Sequence, residues 1–215
     1  MKAIIDGVLK FQKSEFNPRR NYYKALAKGQ SPKTMMITCS DSRINPHAIT
    51  QTDPGELFVL RNAGNIVPAH TVGGNGEAGT IEYAVSALGV EDIIICGHSH
   101  CGAMAGLLNL DALDDLPATR NWIKNAEATR CVVDHKCGHL KDEKLLLETV
   151  KENVLVQLNN LRTLPAVSAG LAMGTLRLHG WVYIIESGEV LSYSNTYKQF
   201  SLLSDETQAT ESVSV

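Results

Sequence analysis

Two short stretches concentrate the groups able to bind a metal ion: Cys39-Ser40-Asp41-Ser42-Arg43 and Gly97-His98-Ser99-His100-Cys101-Gly102. Two thiolates and an imidazole form a donor set suited to zinc. Were Cys39, His98 and Cys101 to converge, three protein ligands would leave a fourth position open for water, as a catalytic rather than a structural site needs. A single His-x-x-Cys is weak by itself, because cysteine is among the residue types most often buried. The second stretch gives it weight.

Convergence depends on the elements that carry these residues. Thr34-Met35-Met36-Ile37-Thr38-Cys39 is a short apolar run ending at a polar cluster, as a buried strand does, and Glu56-Leu57-Phe58-Val59-Leu60-Arg61 is a second. Over 80–88 the spacing of Ile81, Ala84, Val85 and Leu88 predicts a helix, closed by Gly89 before the strand Asp92-Ile93-Ile94-Ile95-Cys96. Strand, helix, strand implies a parallel sheet, and ligands of such sheets gather outside the carboxyl ends of the strands. Cys39 and His98 both follow such ends. A long helix is expected over 143–164 from Leu146, Val150, Val154, Leu158 and Leu161, then a hairpin from Trp181-Val182-Tyr183-Ile184-Ile185-Glu186 and Val190-Leu191-Ser192-Tyr193. Residues 1–28 read as helical around an interruption at Asn17-Pro18. The expected fold is α/β: a mostly parallel central sheet flanked by helices, with an antiparallel edge and an N-terminal helical arm.

Composition narrows the function classes. A chain of 215 residues that is 44% hydrophobic supports one substantial core. Twenty Lys+Arg against 23 Asp+Glu give a net charge of −3, without the basic excess that nucleic acid or an anionic membrane would require. Charges punctuate the first sixteen residues, which argues against a signal peptide or membrane span and for a cytoplasmic protein. Five cysteines, an odd number, fit reduced thiols or metal ligands better than a disulfide scaffold.

The C-x-D-x-R of Cys39, Asp41 and Arg43 and the H-x-x-C of His98 and Cys101, with Pro54-Gly-Glu-Leu-Phe-Val-Leu-Arg-Asn-Ala-Gly-Asn65 and Gly79-Thr-Ile-Glu-Tyr83 between them, resemble the β-class carbonic anhydrases from about residue 20 to 193. The resemblance implies reversible hydration of carbon dioxide to bicarbonate and a proton. It implies Cys39, His98 and Cys101 as ligands of one zinc per subunit, an Asp41–Arg43 catalytic dyad, and a homodimer as minimal unit, with larger oligomers left open. The implied organisation is a dimerising arm over 1–33, a catalytic domain over 34–203 and a polar tail over 204–215. Two thiolates cancel the charge of zinc and weaken it as a Lewis acid, so the bound water needs help. Asp41, kept ionised by a fork from Arg43, would accept its hydrogen bond; released, Asp41 could bind the zinc and shut the site. The plainer alternative is a turn-stabilising ion pair.

Family members whose site Asp can close carry Trp three residues before the first ligand; here Met36 stands there, which is similar to the plant-type open group. In that group Gln30 would reach across the dimer interface to substrate, Phe58, Ala63 and Tyr83 would wall the pocket, and Gly102 would offer a backbone donor. An exposed turn residue is the alternative for Gln30, and ordinary core packing for Phe58. The region 115–133, with Leu116-Pro117, Asn121-Trp122 and Asn125 to Arg130, is similar to carboxysomal cyanobacterial members, which implies carbon fixation, carboxysome scaffold proteins as partners and a place inside that compartment. Those members often carry a long C-terminal extension for assembly contacts, where this chain has a short polar tail.

Other signals compete. Gly74-Asn75-Gly76-Glu77-Ala78-Gly79 satisfies the dinucleotide fingerprint, but no clean strand precedes it and His98 ends the next strand where an acidic residue would be needed; the glycines read as a loop allowing close backbone approach. Cys131, His135, Cys137 and His139 fall within nine residues at a spacing that matches no common zinc module, and read as a surface loop between helices, with a metal or redox role as the lesser alternative. Cys96 reads as a small buried residue, and His47, His70, His100 and His179 stay unassigned as proton carriers. Two further functions remain open: the same zinc chemistry on another small heterocumulene, and a structural zinc scaffold without catalysis.

Overall fold

A computed structural model describes residues 1–204; all but the first residue of the expected 204–215 tail lie outside the described residues. The chain divides into two units, Met1–Ser31 and the residues from Pro32 onward. In the first, α1 (Lys2–Phe11) runs into a wide turn at Gln12–Phe16 and then α2 (Arg20–Leu26). Phe11, Phe16 and Tyr23 cluster, with ring centroids 5.1 to 6.4 Å apart. No residue of α1 is buried, and Ile4, Val8 and Leu9 are 66%, 51% and 57% exposed.

The second unit begins with β1 (Thr34–Cys39), α3 (Pro46–Thr50), β2 (Leu57–Asn62), α4 (Gly76–Glu82), β3 (Asp92–His98) and α5 (Gly102–Leu108). It continues with α6 (Pro117–Ile123), α7 (Glu127–Cys137), α8 (Asp142–Thr163), α9 (Pro165–Ala172), β4 (Arg177–Tyr183), β5 (Val190–Ser194) and β6 (Gln199–Leu202). The described strands form one sheet in the order β2-β1-β3-β4-β5-β6, parallel through β4 and antiparallel at β5 and β6. The α/β architecture expected from the apolar runs is the one observed. Parallel strands are covered on both faces, so β1 and β3 can be apolar at nearly every position. Met35, Ile37, Ile93 and Ile95 enter the main core, while Met36, Ile94 and Cys96 alternate into a smaller cluster with Leu57. Burial pushes the Cys96 thiol up to about 12, as suits a packing residue.

The 22-residue α8 lies against β3 and β4. Gly97 permits this, since a Cβ there would come within 2.9 Å of Val150 Cγ1 and 3.0 Å of Val154 Cγ2. The expected apolar stripe faces the sheet, but α8 buries a second, polar stripe of Thr149, Asn153 and Gln157.

Four expectations are corrected. The helix expected from residue 80 starts at Gly76, because the Asn75 side chain accepts from the Ala78 N–H at 2.7 Å and caps it; beyond Glu82 it widens into a π turn at Tyr83–Ala87. The glycine loop makes no close approach within the chain: a Cβ on Gly74, Gly76 or Gly79 would meet nothing within 4 Å. The segment expected as a loop at 131–139 is helical through Cys137, supported by Arg130, which pairs with Glu127 and Asp134 one turn to either side. Cys131 and Cys137 are thereby about 9 Å apart along the axis, too far for a disulfide. Finally, β6 adds a strand beyond the expected hairpin, its Phe200 ring 5.2 Å from Tyr193.

Candidate metal centre

Cys39 is the last residue of β1 and His98 the last of β3, and these strands are neighbours in parallel register. The chain then turns through Ser99 and His100, the latter at φ +54°, so that Cys101 caps α5 and faces back toward the strand ends. One nitrogen and two sulfurs of Cys39, His98 and Cys101 lie within 4.8 Å of one another, all three residues buried. Among the described residues this is the group of histidine, cysteine and acidic side chains with metal-binding geometry. His98 is 0% exposed; its Nδ1 faces the Ser99 carbonyl at 2.8 Å, while its Nε2 has no hydrogen-bond partner. Donation from Nδ1 leaves the Nε2 lone pair free, and a buried unpaired nitrogen is costly unless an ion takes it. Two sulfurs beside that nitrogen fit zinc.

The sulfurs are electrostatically coupled. The adjoining Cys101 thiol, helped by the Gly64 and Asp41 backbone, holds the Cys39 thiol well below its ordinary value against the opposing effect of burial. Cys101, facing that anionic sulfur and buried, is raised. Two sulfurs this close readily share one negative charge, and a dication stabilises the second.

Arg43 holds Asp41 by three bonds: backbone N–H to Oδ1 at 3.0 Å, Nε to Oδ1 at 2.9 Å and Nη2 to Oδ2 at 2.7 Å. Those bonds keep the Asp41 carboxyl well below the usual range. Its Oδ2 sits 3.9 Å from His98 Nε2, so the carboxylate borders the Cys39, His98 and Cys101 donor group.

The remaining expected residues divide. Ala63, half-buried, precedes Gly64, whose N–H donates to Cys39 Sγ at 3.3 Å. Gly102 is the exposed first residue of α5, next to Cys101. Phe58 and Tyr83 meet each other, with ring centroids 6.3 Å apart, and Tyr83 is exposed. Phe58 pairs with Met35, about 13 Å along the strand before Cys39, so the two are not neighbours within one chain. Gln30 is exposed and belongs to the first unit. Met36 is buried among Leu57, Ile94 and Cys96.

Several supporting groups were not singled out from sequence. Arg61 donates from Nε to the Cys39 carbonyl at 3.0 Å and from Nη2 to the Asp41 carbonyl at 2.7 Å. Glu186 binds Ser99 Oγ at 2.8 Å and His100 Nε2 at 3.3 Å. Gly64, at φ +82°, would be strained by any side chain and leaves little room for one, because a Cβ would lie 3.0 Å from both Ala103 Cβ and Met104 Cε. The invitation to look was there for Arg61 and Gly64, which stand inside a recognisable motif; Glu186 gave none.

Comparison with known proteins agrees with this geometry. A family model described as carbonic anhydrase matches residues 34–190. A carbonic anhydrase of Synechocystis sp. is 47% identical over 93% of this chain and 73% of its own length. One from Pseudomonas aeruginosa is 46% identical over 95% and 93%. The solved β-carbonic anhydrase CcaA superposes with a TM-score of 0.92 at 46% identity, covering 94% of this chain and 99% of that one. With strand ends, buried donor set and sequence all in agreement, the chain belongs to the β-carbonic anhydrases, a family of zinc enzymes.

Proposed function

We propose that Cys39, His98 and Cys101 hold zinc and that carbon dioxide is reversibly hydrated beside it, with Asp41 and Arg43 as the catalytic dyad. The observation that carries this reading is the fully buried His98, whose Nε2 has no hydrogen-bond partner and whose ring offers a nitrogen within 4.8 Å of the Cys39 and Cys101 sulfurs. Bound zinc supplies Lewis acidity that makes water a nucleophile near neutral pH, weakened here by two anionic sulfurs. The chain's own residues compensate. Asp41 accepts a hydrogen bond from the attacking water and aims its lone pair, while Arg43 keeps the acceptor ionised and turned away from the sulfurs. Ala63 walls the pocket and the Gly102 N–H donates to the product anion. Gln30, Phe58 and Tyr83 suit a pocket completed by a second copy, a role consistent with Phe58, which meets Tyr83, lying about 13 Å along the strands from Cys39, and with the exposed apolar residues of α1. An apolar wall suits an apolar substrate.

The test is stopped-flow hydration of carbon dioxide on protein of known zinc content, with Cys39→Ala alongside. Activity proportional to zinc, and absent in the variant, is expected. Zinc-replete protein without hydration at neutral or alkaline pH, reduced or oxidised, would sink the reading.

A finer role in carbon fixation, within a carboxysome and in contact with its scaffold proteins, is supported by the resemblance over 115–133 and by the Synechocystis relative. The Pseudomonas relative matches as well, so localisation decides: a tagged chain that stays diffuse in a carboxysome-forming cell rules that role out. No described helix is long and apolar enough to cross a membrane.

A further inference from the structure

The peptide unit joining Ala63 to Gly64 uses both of its polar groups, and it uses them in opposite directions. Its N–H donates to Cys39 Sγ at 3.3 Å, while its carbonyl accepts from the indole Nε1–H of Trp122, on α6, at 2.8 Å. Because the unit is planar and conjugated, fixing the oxygen also fixes where the hydrogen points. Hydrogen bonds in series reinforce one another, so a donor on the oxygen makes the N–H a better donor to sulfur.

The next unit is held as firmly. Asn153 Nδ2 of α8 donates to the Gly64 carbonyl at 3.0 Å, and the Asn62 side chain bonds both the N–H and the carbonyl of Ile66 at 2.8 Å. Those bonds secure the turn, but the Trp122 bond is the one made to the same peptide that contacts the sulfur. Indole has one donor and no acceptor, so the direction of this chain of bonds is fixed: indole to carbonyl, amide to sulfur. Trp122 itself is half-buried and packs against the main core, which limits its freedom to turn away.

We infer that Trp122 is a positioning residue of the metal centre, acting through the Ala63–Gly64 peptide to keep an N–H donor on the Cys39 sulfur. This rests on Cys39 being a metal ligand. A hydrogen bond to a thiolate ligand withdraws charge from the sulfur and fixes its lone pairs, so it offsets part of the charge that two thiolates place on a metal. Aromatic bulk alone would fill the space without this effect.

The test uses the 215-residue chain with zinc exchanged for cobalt(II), whose absorption includes a thiolate-to-metal charge-transfer band, together with zinc affinity by chelator competition. Trp122→Phe removes the N–H and keeps an aromatic ring. A benzothiophene analogue of tryptophan at position 122 removes it with almost no change of shape and serves if the phenylalanine variant does not fold. Trp181→Phe, away from this peptide, controls for losing a tryptophan. Loss of the hydrogen bond raises the sulfur lone pair, so the band is expected to move to longer wavelength at position 122 and zinc affinity to fall about tenfold, with Trp181→Phe unchanged. An unmoved band with unchanged affinity, or an equal shift in Trp181→Phe, overturns the inference. Failure of the unaltered chain to bind either metal would instead overturn Cys39 as a ligand, and this inference with it.

Discussion

Arg43 meets both carboxylate oxygens of Asp41, Nε to Oδ1 at 2.9 Å and Nη2 to Oδ2 at 2.7 Å, and the same Nη2 donates to the His100 carbonyl at 3.0 Å. The guanidinium therefore ties the Asp41 carboxylate to the turn between His98 and Cys101. Asp41→Asn keeps the shape but loses the charge and reverses one bond, setting an amide hydrogen against the Arg43 donors. We expect kcat/KM for hydration to fall about a hundredfold or more, as for loss of an acid–base group, with zinc content unchanged. Wild-type rates in this variant would reduce the pair to a turn-stabilising contact. Arg43→Lys, which keeps charge but not the fork, should fall between the two.

Glu186 supports the other side of that turn. Ser99 Oγ donates to it at 2.8 Å and accepts from the Ile185 N–H at 2.9 Å, while His100 holds a left-handed conformation at φ +54° that costs about 1 kcal/mol. Glu186→Ala should lower kcat/KM severalfold while shifting Tm little, since the carboxylate is more than half exposed. Glu186→Gln, whose amide oxygen still accepts from Ser99, should recover much of the loss. Equal activity in all three proteins would show that the turn holds itself.

Which parts of this arrangement could be read from sequence follows from what a residue type can advertise. Met35 to Cys39 and Ile93 to Cys96 are buried on both faces, so β1 and β3 stand out as apolar runs, and the ligands that follow them stand out by type. The atoms that trim the site are different: the Gly64 N–H, the Ala63 carbonyl and the His100 carbonyl belong to the backbone, which every residue carries. Asn153 and Gln157 look like a solvated helix face until the 62–67 turn is laid over them. Cysteine, histidine and a closing glycine hide α7, whose helix rests on the Arg130 pairs and on Thr129 and Val133 reaching the core. In β6, Phe200 stands between polar neighbours, and only pairing with β5 makes a strand of it.

Asn153 spends its whole amide on that buried seam. Its Oδ1 accepts from Thr129 Oγ1 at 3.3 Å and from Gln157 Nε2 at 2.9 Å, and its Nδ2 donates to the Gly64 carbonyl. Asn153→Ala would strand three buried partners. We expect a loss of about 2–3 kcal/mol in denaturant unfolding, together with weaker zinc retention because the Gly64 turn loosens. A change within about 0.5 kcal/mol, as for an ordinary surface site, would mean water replaces the amide without penalty.

At the opposite end of the parallel strands, Asp92 accepts from Arg177 Nε and Nη2 at 2.8 and 2.7 Å and lies 2.8 Å from His179 Nε2. Burial by itself would raise this carboxyl, but the Arg177 and His179 bonds outweigh it and the group lies below its usual value. A carboxyl depressed in the folded state contributes stability that is complete above the unfolded value, about 4 for aspartate, and is lost as pH falls through the folded value. Asp92→Asn removes that contribution at every pH. The variant should therefore be about 1 kcal/mol less stable than wild type at neutral pH, a modest figure because Arg177 is largely exposed. That gap should narrow once the pH drops below about 4. Unfolding curves for both proteins between pH 7 and 3 check this: a gap of constant size would assign the effect of Asp92 to hydrogen-bond geometry alone, and a gap that widens in acid would contradict the depressed carboxyl outright.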